Sequence, residues 1–288
     1  MLLSAIFTRT RPTLAMILMA VFLAGCSSTR TAYRFADWGI VWWVEDYVTL
    51  NSAQKARLEE DLDNLRQWHC SAELPRYTQW LETLKEDLSP SVPEVDVIRH
   101  HQQQLFVFTD ALLQRAVPAT VNLLSTLSDE QVEELATNMA QQHRELEQEM
   151  LGGSAQENAE GRAERTAERL ENWLGPLNDQ QASLITAWSA DRGRQTEIWL
   201  TGRRNWQKSL LADLEIRNQP AFADQIEDLM INYKQARGEQ YQAMSRDSRA
   251  AMAVLIHDLL AAGGSEHRQH IIGKAGELDG DFTALTCL

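Results

Sequence analysis

Apolar side chains recur at intervals of three and four along most of the chain: Leu58, Leu62 and Leu65, then Leu105, Phe108 and Leu112, and later Leu255 and Leu259. That spacing lines one face of a helix. The positions between are rich in Ala, Gln, Glu and Arg, which lose little on becoming helical. Alternating runs of Val, Ile and Thr bounded by turn residues, the mark of strands, are absent. Prolines 75, 90, 93, 118, 176 and 220 each stand where a helix can open or its predecessor end. The pattern predicts an all-α protein, a multi-helix bundle or an array of antiparallel helices with no significant sheet. Helices are expected near 35–47, 52–69, 73–87, 92–115, 118–125, 128–150, 155–173, 178–213, 219–243 and 246–262. A short one is expected around 266–274, in the glycine-richer tail after Gly263. The weakest joint is Gly152-Gly153-Ser154. Ala155, Ala159, Ala163 and Ala167 follow it at every fourth position. Two readings stay open there: an exposed helix with a close-packing alanine stripe, or a hinge near 152–154 between two helical halves.

One pattern, Leu-[Asn/Ser]-x-x-Gln-x-x-x-[Leu/Ile], occurs three times. Its copies run from Leu50-Asn51 through Gln54 to Leu58, from Leu127-Ser128 through Gln131 to Leu135, and from Leu177-Asn178 through Gln181 to Ile185. Asn or Ser is a good N-cap, and a Gln three residues on can reach back to the cap, as in a capping box. The preceding Leu can staple against the fourth helical residue; Val132 suits this best. Three well-capped helices account for the pattern in full.

The N-terminus has another character. Arg9 and Arg11 precede an apolar run from Leu14 to Leu23, and Leu23-Ala24-Gly25-Cys26 closes it. A basic segment followed by about ten apolar residues is too short to span a bilayer and is built like a secretory signal. The final tetrad has the form of a lipobox. Residues 1–25 are therefore expected to be a lipoprotein signal peptide, with Cys26 carrying diacylglycerol and an N-acyl chain such as palmitate. Residues 26–34 would be a tether and 35–288 a helical periplasmic domain. Ser27, where Asp would favour retention at the inner membrane, points to the periplasmic face of the outer membrane.

Charge narrows the partners. The chain carries a net −14, and loss of Arg9 and Arg11 with the leader moves this to −16. Such acidity disfavours nucleic acid as a partner. No second stretch approaches eighteen apolar residues, which leaves the lipid as the expected membrane attachment. With Cys26 acylated, Cys70 and Cys287 remain, and an oxidising periplasm permits a disulfide between them. It would close a loop of about 216 residues, worth roughly 4–5 kcal/mol in the chain-entropy model.

The capping pattern resembles the Leu-Thr-x-x-Gln motif of helical periplasmic chaperones of the Spy and CpxP type. That resemblance implies a concave, client-binding surface. The chain as a whole resembles a family of uncharacterised lipoproteins of Pseudomonas-type bacteria, DUF6279. The residues that carry this are the lipobox, Tyr33-Arg34-Phe35-Ala36-Asp37-Trp38 through Trp42 and Asp46-Tyr47, Trp68-His69 with Glu73-Leu74-Pro75-Arg76-Tyr77, and Trp173-Leu174-Gly175-Pro176-Leu177. It implies a helical envelope lipoprotein and brings no catalytic residues with it.

Two stretches are candidate partner-binding sites. Trp38, Trp42 and Trp43 lie shortly after Cys26, and either pack as the inner face of the first helix or contact headgroups or a partner, as indole does at interfaces. Arg192, Arg194, Arg203, Arg204 and Lys208 alternate with Trp188, Trp199 and Trp206, tryptophans whose spacing keeps them on roughly one face of a single helix. The arginines are either the wet side of an amphipathic core helix or an anion-binding strip for phosphates or carboxylates. The histidines offer less. His100 and His101 are adjacent and diverge; His267 and His270 beside Glu266 lack a full ligand set, so no metal is expected. His69 reads as a structural hydrogen-bonding group next to a bridged cysteine. No nucleophile elbow, phosphate loop or dinucleotide fingerprint occurs, and no catalytic residue is assigned. The sequence thus predicts a lipid-anchored scaffold or chaperone-like binding protein of the cell envelope, with no cofactor beyond its lipid. Its partner would be an envelope protein or anionic polymer. The alternative is an envelope enzyme acting on peptidoglycan or lipid through carboxylates that the sequence does not single out.

Overall fold

A computed structural model describes residues 28–285, which hold helices and no strand. In chain order they are α1 (Ser28–Arg34), α2 (Ala36–Glu45), α3 (Ser52–Trp68), α4 (Leu74–Leu88), α5 (Val95–Leu124) and α6 (Asp129–Leu151). Then come α7 (Ala155–Leu174), α8 (Asp179–Asp191), α9 (Gln195–Leu214), α10 (Phe222–Ile231), α11 (Tyr233–Arg237) and α12 (Glu239–Ala284). A π-helical turn, His69–Glu73, joins α3 to α4. The all-α expectation holds.

All three predicted capping boxes form. Their glutamines also do more than cap. Gln54 Oε1 accepts from the Asn51 N–H, and Gln131 Oε1 from the Ser128 N–H, both at 3.0 Å. The two amides then meet each other: Gln54 Nε2 donates to Gln131 Oε1 at 3.0 Å, and Gln131 Nε2 to Gln54 Oε1 at 2.8 Å. Each also donates to the carbonyl just ahead of the other's motif, Gln54 to Thr126 O (2.9 Å) and Gln131 to Thr49 O (2.7 Å). The starts of α3 and α6 are thereby locked as a reciprocal pair.

The third motif has a partner that its sequence hides. Gln181, fully buried, donates to Leu259 O at 2.8 Å, and Asn178 Nδ2 to Ala262 O at 3.2 Å. There α12 is interrupted at Gly264 (φ 68°, ψ −154°), a conformation that only glycine adopts at little cost. His267, three residues on, occupies the position of the glutamines. Its Nε2 lies 3.1 Å from Pro176 O, the carbonyl just ahead of Leu177. A fourth, degenerate copy therefore opens the second part of α12.

Two apolar cores follow this pairing. The first gathers Leu58 and Leu62 of α3, Leu135 and Met139 of α6, Leu210 and Leu214 of α9, and Phe222 and Ile226 of α10. The second gathers Ile185 of α8, Ile271 of α12, Leu88 of α4 and Ile98 of α5, with Ala163, Leu255 and Leu259. Each core thus takes a pair of motif helices from one half of the chain, together with one helix end and the following helix start from the other half. The sequence carries the same duplication: Trp80-x-x-Thr83-Leu84-x-x-Asp87-Leu88 matches Trp206-x-x-Ser209-Leu210-x-x-Asp213-Leu214. The Gly152–Ser154 joint is a turn, with Ser154 and Glu157 forming a capping box for α7. Both cores draw on residues from either side of it, so it does not divide the molecule into an N-terminal and a C-terminal lobe.

Several expected boundaries are corrected. Helix α5 runs straight past Pro118, where a break was expected. Proline strips the Gln114 carbonyl of its helical partner, but Gln114 is exposed and water can serve it. The expected helix 178–213 is cut at 192–194 around Gly193 (φ 47°). Arg162 of α7 pins that break by donating to Ser189 Oγ and O and to Thr196 Oγ1 at 2.8–3.1 Å. The helix expected over 219–243 ends at Gly238 (φ 96°), where α12 starts instead. The expected tether is helical from Ser28 and tied to the body: Arg30 pairs with Asp281 at 2.9 Å, and the Tyr33 hydroxyl sits between Arg66 O and His69.

Candidate functional site

Between α5 and the first part of α12 runs an open groove of about 400 Å³, floored by Trp199 at the start of α9. Leu105, Phe106, Tyr241, Met244 and Met252 make its walls apolar. No Asp, Glu or His lines it. Methionine and aromatic side chains together give a surface that can repack around different apolar shapes. Leu105 stands 47% exposed, and Leu112, two turns on, extends the apolar strip along α5.

One cation, Arg249, lines this groove, and two more lie against its rings. The Arg249 guanidinium lies 4.9 Å from the Phe106 ring centre and the Lys234 ammonium 5.7 Å from the same ring. Arg237 lies 4.8 Å from the ring of Tyr241 and 5.6 Å from that of Tyr233. Ring faces attract such cations without neutralising them. None of the three is ion-paired with a carboxylate among the described residues, and Arg237 Nε is buried with no hydrogen-bond partner among them. Burial and the nearby Asp110 raise the Tyr233 pKa, while Arg237 and Arg249 oppose this. In a chain of net charge −14 this is a local island of positive charge.

A second cluster surrounds the π-helical turn. His69 lies between the hydroxyls of Tyr33 (3.1 Å) and Tyr77 (3.2 Å). Tyr77 packs on Phe108, with ring centres 4.6 Å apart, and on Phe282 at the end of α12. Burial, with the charge of Glu73, pushes the Tyr77 hydroxyl up to about 12, and burial holds His69 below its ordinary value against the pull of Glu73. Glu73 is itself buried, bonded through Oε1 to Arg76 at 2.6 Å, with Oε2 unpartnered. Nearby, buried His101 takes Asp87 at 3.0 Å, and burial lowers its pKa although Asp87 opposes this. These groups are packed rather than set around a cleft, and they read as the structural device that joins α3 to α4.

The residues singled out in sequence are dispersed. Cys26 and Cys287 lie outside the described residues; Cys70 is buried in the π-helical turn. Trp38, Trp42 and Trp43 are 67%, 61% and 59% exposed, which corrects the reading of them as an inner face; Val41 is the buried residue of α2. Trp188 is separated from Trp199 and Trp206 by the break at 192–194, so the three do not share one helix face. Trp188 packs on the second core, Trp206 on the first, and only Trp199 reaches the groove. The arginine strip is largely spoken for: Arg192 pairs with Asp191, Arg194 with Glu197 and Arg204 with Glu147. Arg203 instead faces His143, whose imidazole pKa is lowered by burial and by Arg204 and Arg203. His267 is occupied by Gly263 O and Pro176 O. No cluster of three His, Cys, Asp or Glu residues able to hold a metal occurs among the described residues, and no helix there is long and apolar enough to cross a membrane.

The sequence reading missed Phe106, Lys234, Arg237, Tyr241 and Arg249. Phe106 lies far from the others in the chain and meets them only because α5 packs against α12. The recurrence of Lys234, Arg237 and Arg249 among Tyr233 and Tyr241 was the available signal, since they form a second basic and aromatic stretch.

No curated protein and no solved structure matches the chain. A family model does match, described as a family of unknown function, over residues 46–242. That span holds the first three capping motifs, both copies of the Trp-Leu-Asp-Leu pattern and the start of the groove-forming part of α12. The chain therefore belongs to the family of unknown function DUF6279.

Proposed function

We propose that this protein is a lipid-anchored binding protein of the bacterial envelope, tethered through Cys26 at the periplasmic face of the outer membrane. Its α5–α12 groove would capture apolar polypeptide segments that carry acidic side chains. The observation that carries this reading is the groove itself, apolar in its walls, lined by Arg249 and flanked by Lys234 and Arg237 on its aromatic rings, none of the three ion-paired with a carboxylate of the described residues. Charge complementarity favours an acidic partner. The groove is open and its cations are spread among the aromatic rings. That arrangement suits an amphipathic segment better than an acyl chain, which calls for an enclosed slot with charge at one mouth.

A bridge between Cys70 and Cys287 belongs to the same proposal. The end of α12 reaches the π-helical turn, since Phe282 packs on Tyr77 and Asp281 pairs with Arg30. Cys287 follows two residues after Leu285. Non-reducing peptide mapping should recover Cys70 joined to Cys287, and free thiols at both would remove the bridge.

The groove is tested with a fluorescently labelled amphipathic peptide bearing Asp and Glu on its polar face. Leu105→Arg and Arg249→Glu should each weaken its binding about tenfold or more. A matched peptide with Lys in place of the acids should bind poorly to the wild type. Equal binding of both peptides, or unchanged affinity in both variants, would overturn the assignment.

A further inference from the structure

Helix α2 presents a largely exposed aromatic face, on which Trp43 alone meets a ring outside the helix, that of Tyr47, among the described residues. Phe35, Trp38 and Trp42 follow one another at three and four, and all three are more than 60% exposed; Trp43 adjoins them at 59%. Trp38 and Trp42 stack with ring centres 6.1 Å apart and planes within 10°, so the indoles form one flat surface. Val41, buried beside this face, anchors the helix in the first core. Isolated exposed apolar residues need no explanation, but four aromatic ones within the nine residues from Phe35 to Trp43 do.

The chain ahead of α2 says what covers this face. Phe35 is nine residues from Cys26, and seven of the intervening residues are helix α1. At 1.5 Å per helical residue and at most about 3.6 Å for each extended one, Phe35 lies within about 20 Å of the anchored cysteine. Nor is α1 a loose leash, because Arg30–Asp281 and the Tyr33 bonds to Arg66 O and His69 hold it against the body. A rigid short link keeps the aromatic face beside whatever surface holds the acyl chains.

We infer that the Phe35–Trp38–Trp42–Trp43 face of α2 is a membrane-seating surface that inserts its indoles into the headgroup region of the bilayer. This rests on the proposed lipidation of Cys26. Indole suits that depth because its ring is apolar and its N–H finds polar partners there. The helix carries Asp37 and Glu45 and no Lys or Arg. The seat therefore favours zwitterionic lipid and is weakened by anionic lipid, the reverse of basic amphipathic anchors. Seating at this face would fix which side of the molecule turns away from the membrane.

The test uses the full mature protein with vesicles of phosphatidylethanolamine and phosphatidylcholine whose acyl chains are brominated near the headgroup. Trp38, Trp42 and Trp43 are three of nine tryptophans, so the wild type should lose about a third of its emission. Trp38→Ala/Trp42→Ala/Trp43→Ala should lose almost none while keeping the far-ultraviolet dichroism of the wild type. Replacing half of the lipid by phosphatidylglycerol should reduce the wild-type quenching. Intact mass reports the acyl chains independently. An acylated protein that floats with the vesicles without preferential quenching overturns the seat and leaves the anchor standing. An unacylated protein that floats and is quenched overturns the anchor and upholds the seat. A protein that is neither acylated nor bound overturns both, and a wild-type dimer broken by the triple variant, with no quenching, assigns the face to a second copy instead.

Discussion

The two cores are built on one plan and joined by different chemistry. In the first, Gln54 and Gln131 exchange amide hydrogen bonds with each other and with the carbonyls of Thr49 and Thr126. In the second, Gln181 faces His267, and the two do not bond: Gln181 donates to Leu259 O, while the imidazole lies between Gly263 O and Pro176 O. A neutral imidazole has one N–H and can serve only one of those carbonyls at a time. The acids are handled in opposite ways as well. Asp87 in the second core takes His101 as its partner, whereas the matching Asp213 in the first has no histidine partner among the described residues. Burial and the nearby Asp228 raise the Asp213 pKa. One plan thus tolerates two solutions at the joint, a reciprocal amide pair or a buried amide and imidazole that each bond a backbone carbonyl.

The sharpest way to break the second joint is at Gly263. A Cβ there would sit 2.4 Å from Gln181 Nε2 and 2.6 Å from His267 Cγ. Both groups are buried and hydrogen-bonded, so neither can retreat freely. Gly263→Ala should cost about 3 kcal/mol, read as a lower urea midpoint. Gly273→Ala, with nothing within 4 Å of the new methyl, should be neutral or stabilise by about 0.5–1 kcal/mol. Equal behaviour of the two variants would mean that the joint is not tight.

A double-mutant cycle distinguishes the joints at smaller cost. Gln54→Leu and Gln131→Leu share two direct hydrogen bonds and should couple by about 1–2 kcal/mol. Gln181→Leu and His267→Leu share none and should couple by less, about 0.5 kcal/mol. Coupling of equal size in the two cycles would erase the distinction.

Acidification should weaken the fold gradually. Burial depresses the pKa of His69, His101 and His143 in the folded chain. Between the ordinary value near 6.5 and each lowered one, the unfolded chain binds more protons. The stabilising contribution is therefore complete above about pH 6.5 and is lost as the pH falls through that window. Asp213, with its raised pKa, acts in the opposite sense just above the ordinary carboxylate range. Melting temperature should drop from pH 7.5 to 5.5, and His101→Gln should flatten the slope. A melting temperature independent of pH over that range would contradict the burial of these rings.

The helical class and three of the four helix starts were legible because a capping box is local: four residues contain its whole logic. A helix start near 266 was legible too, but not its place in the pattern, since His267 reaches the Pro176 carbonyl with none of the residue types of the other motifs. The duplication was written openly in Trp80–Leu88 and Trp206–Leu214, although neither stretch looks unusual alone. Trp38, Trp42 and Trp43 could not be placed from spacing, because an aromatic stripe has the same period whether it faces a core or water. The groove was hidden for a third reason. Phe106 and Arg249 lie 143 positions apart in the sequence and meet only after α5 and α12 have packed.

The most direct test of the binding account is photo-crosslinking in living cells from Leu105, Met244 and Met252, with Glu60 on the exposed side of α3 as the control position. The account predicts crosslinks from the three groove positions to apolar segments that carry Asp or Glu, lost with Arg249→Glu and absent from Glu60. Crosslinks of the same identity and yield from Glu60 and the groove, or groove crosslinks indifferent to Arg249→Glu, would contradict it.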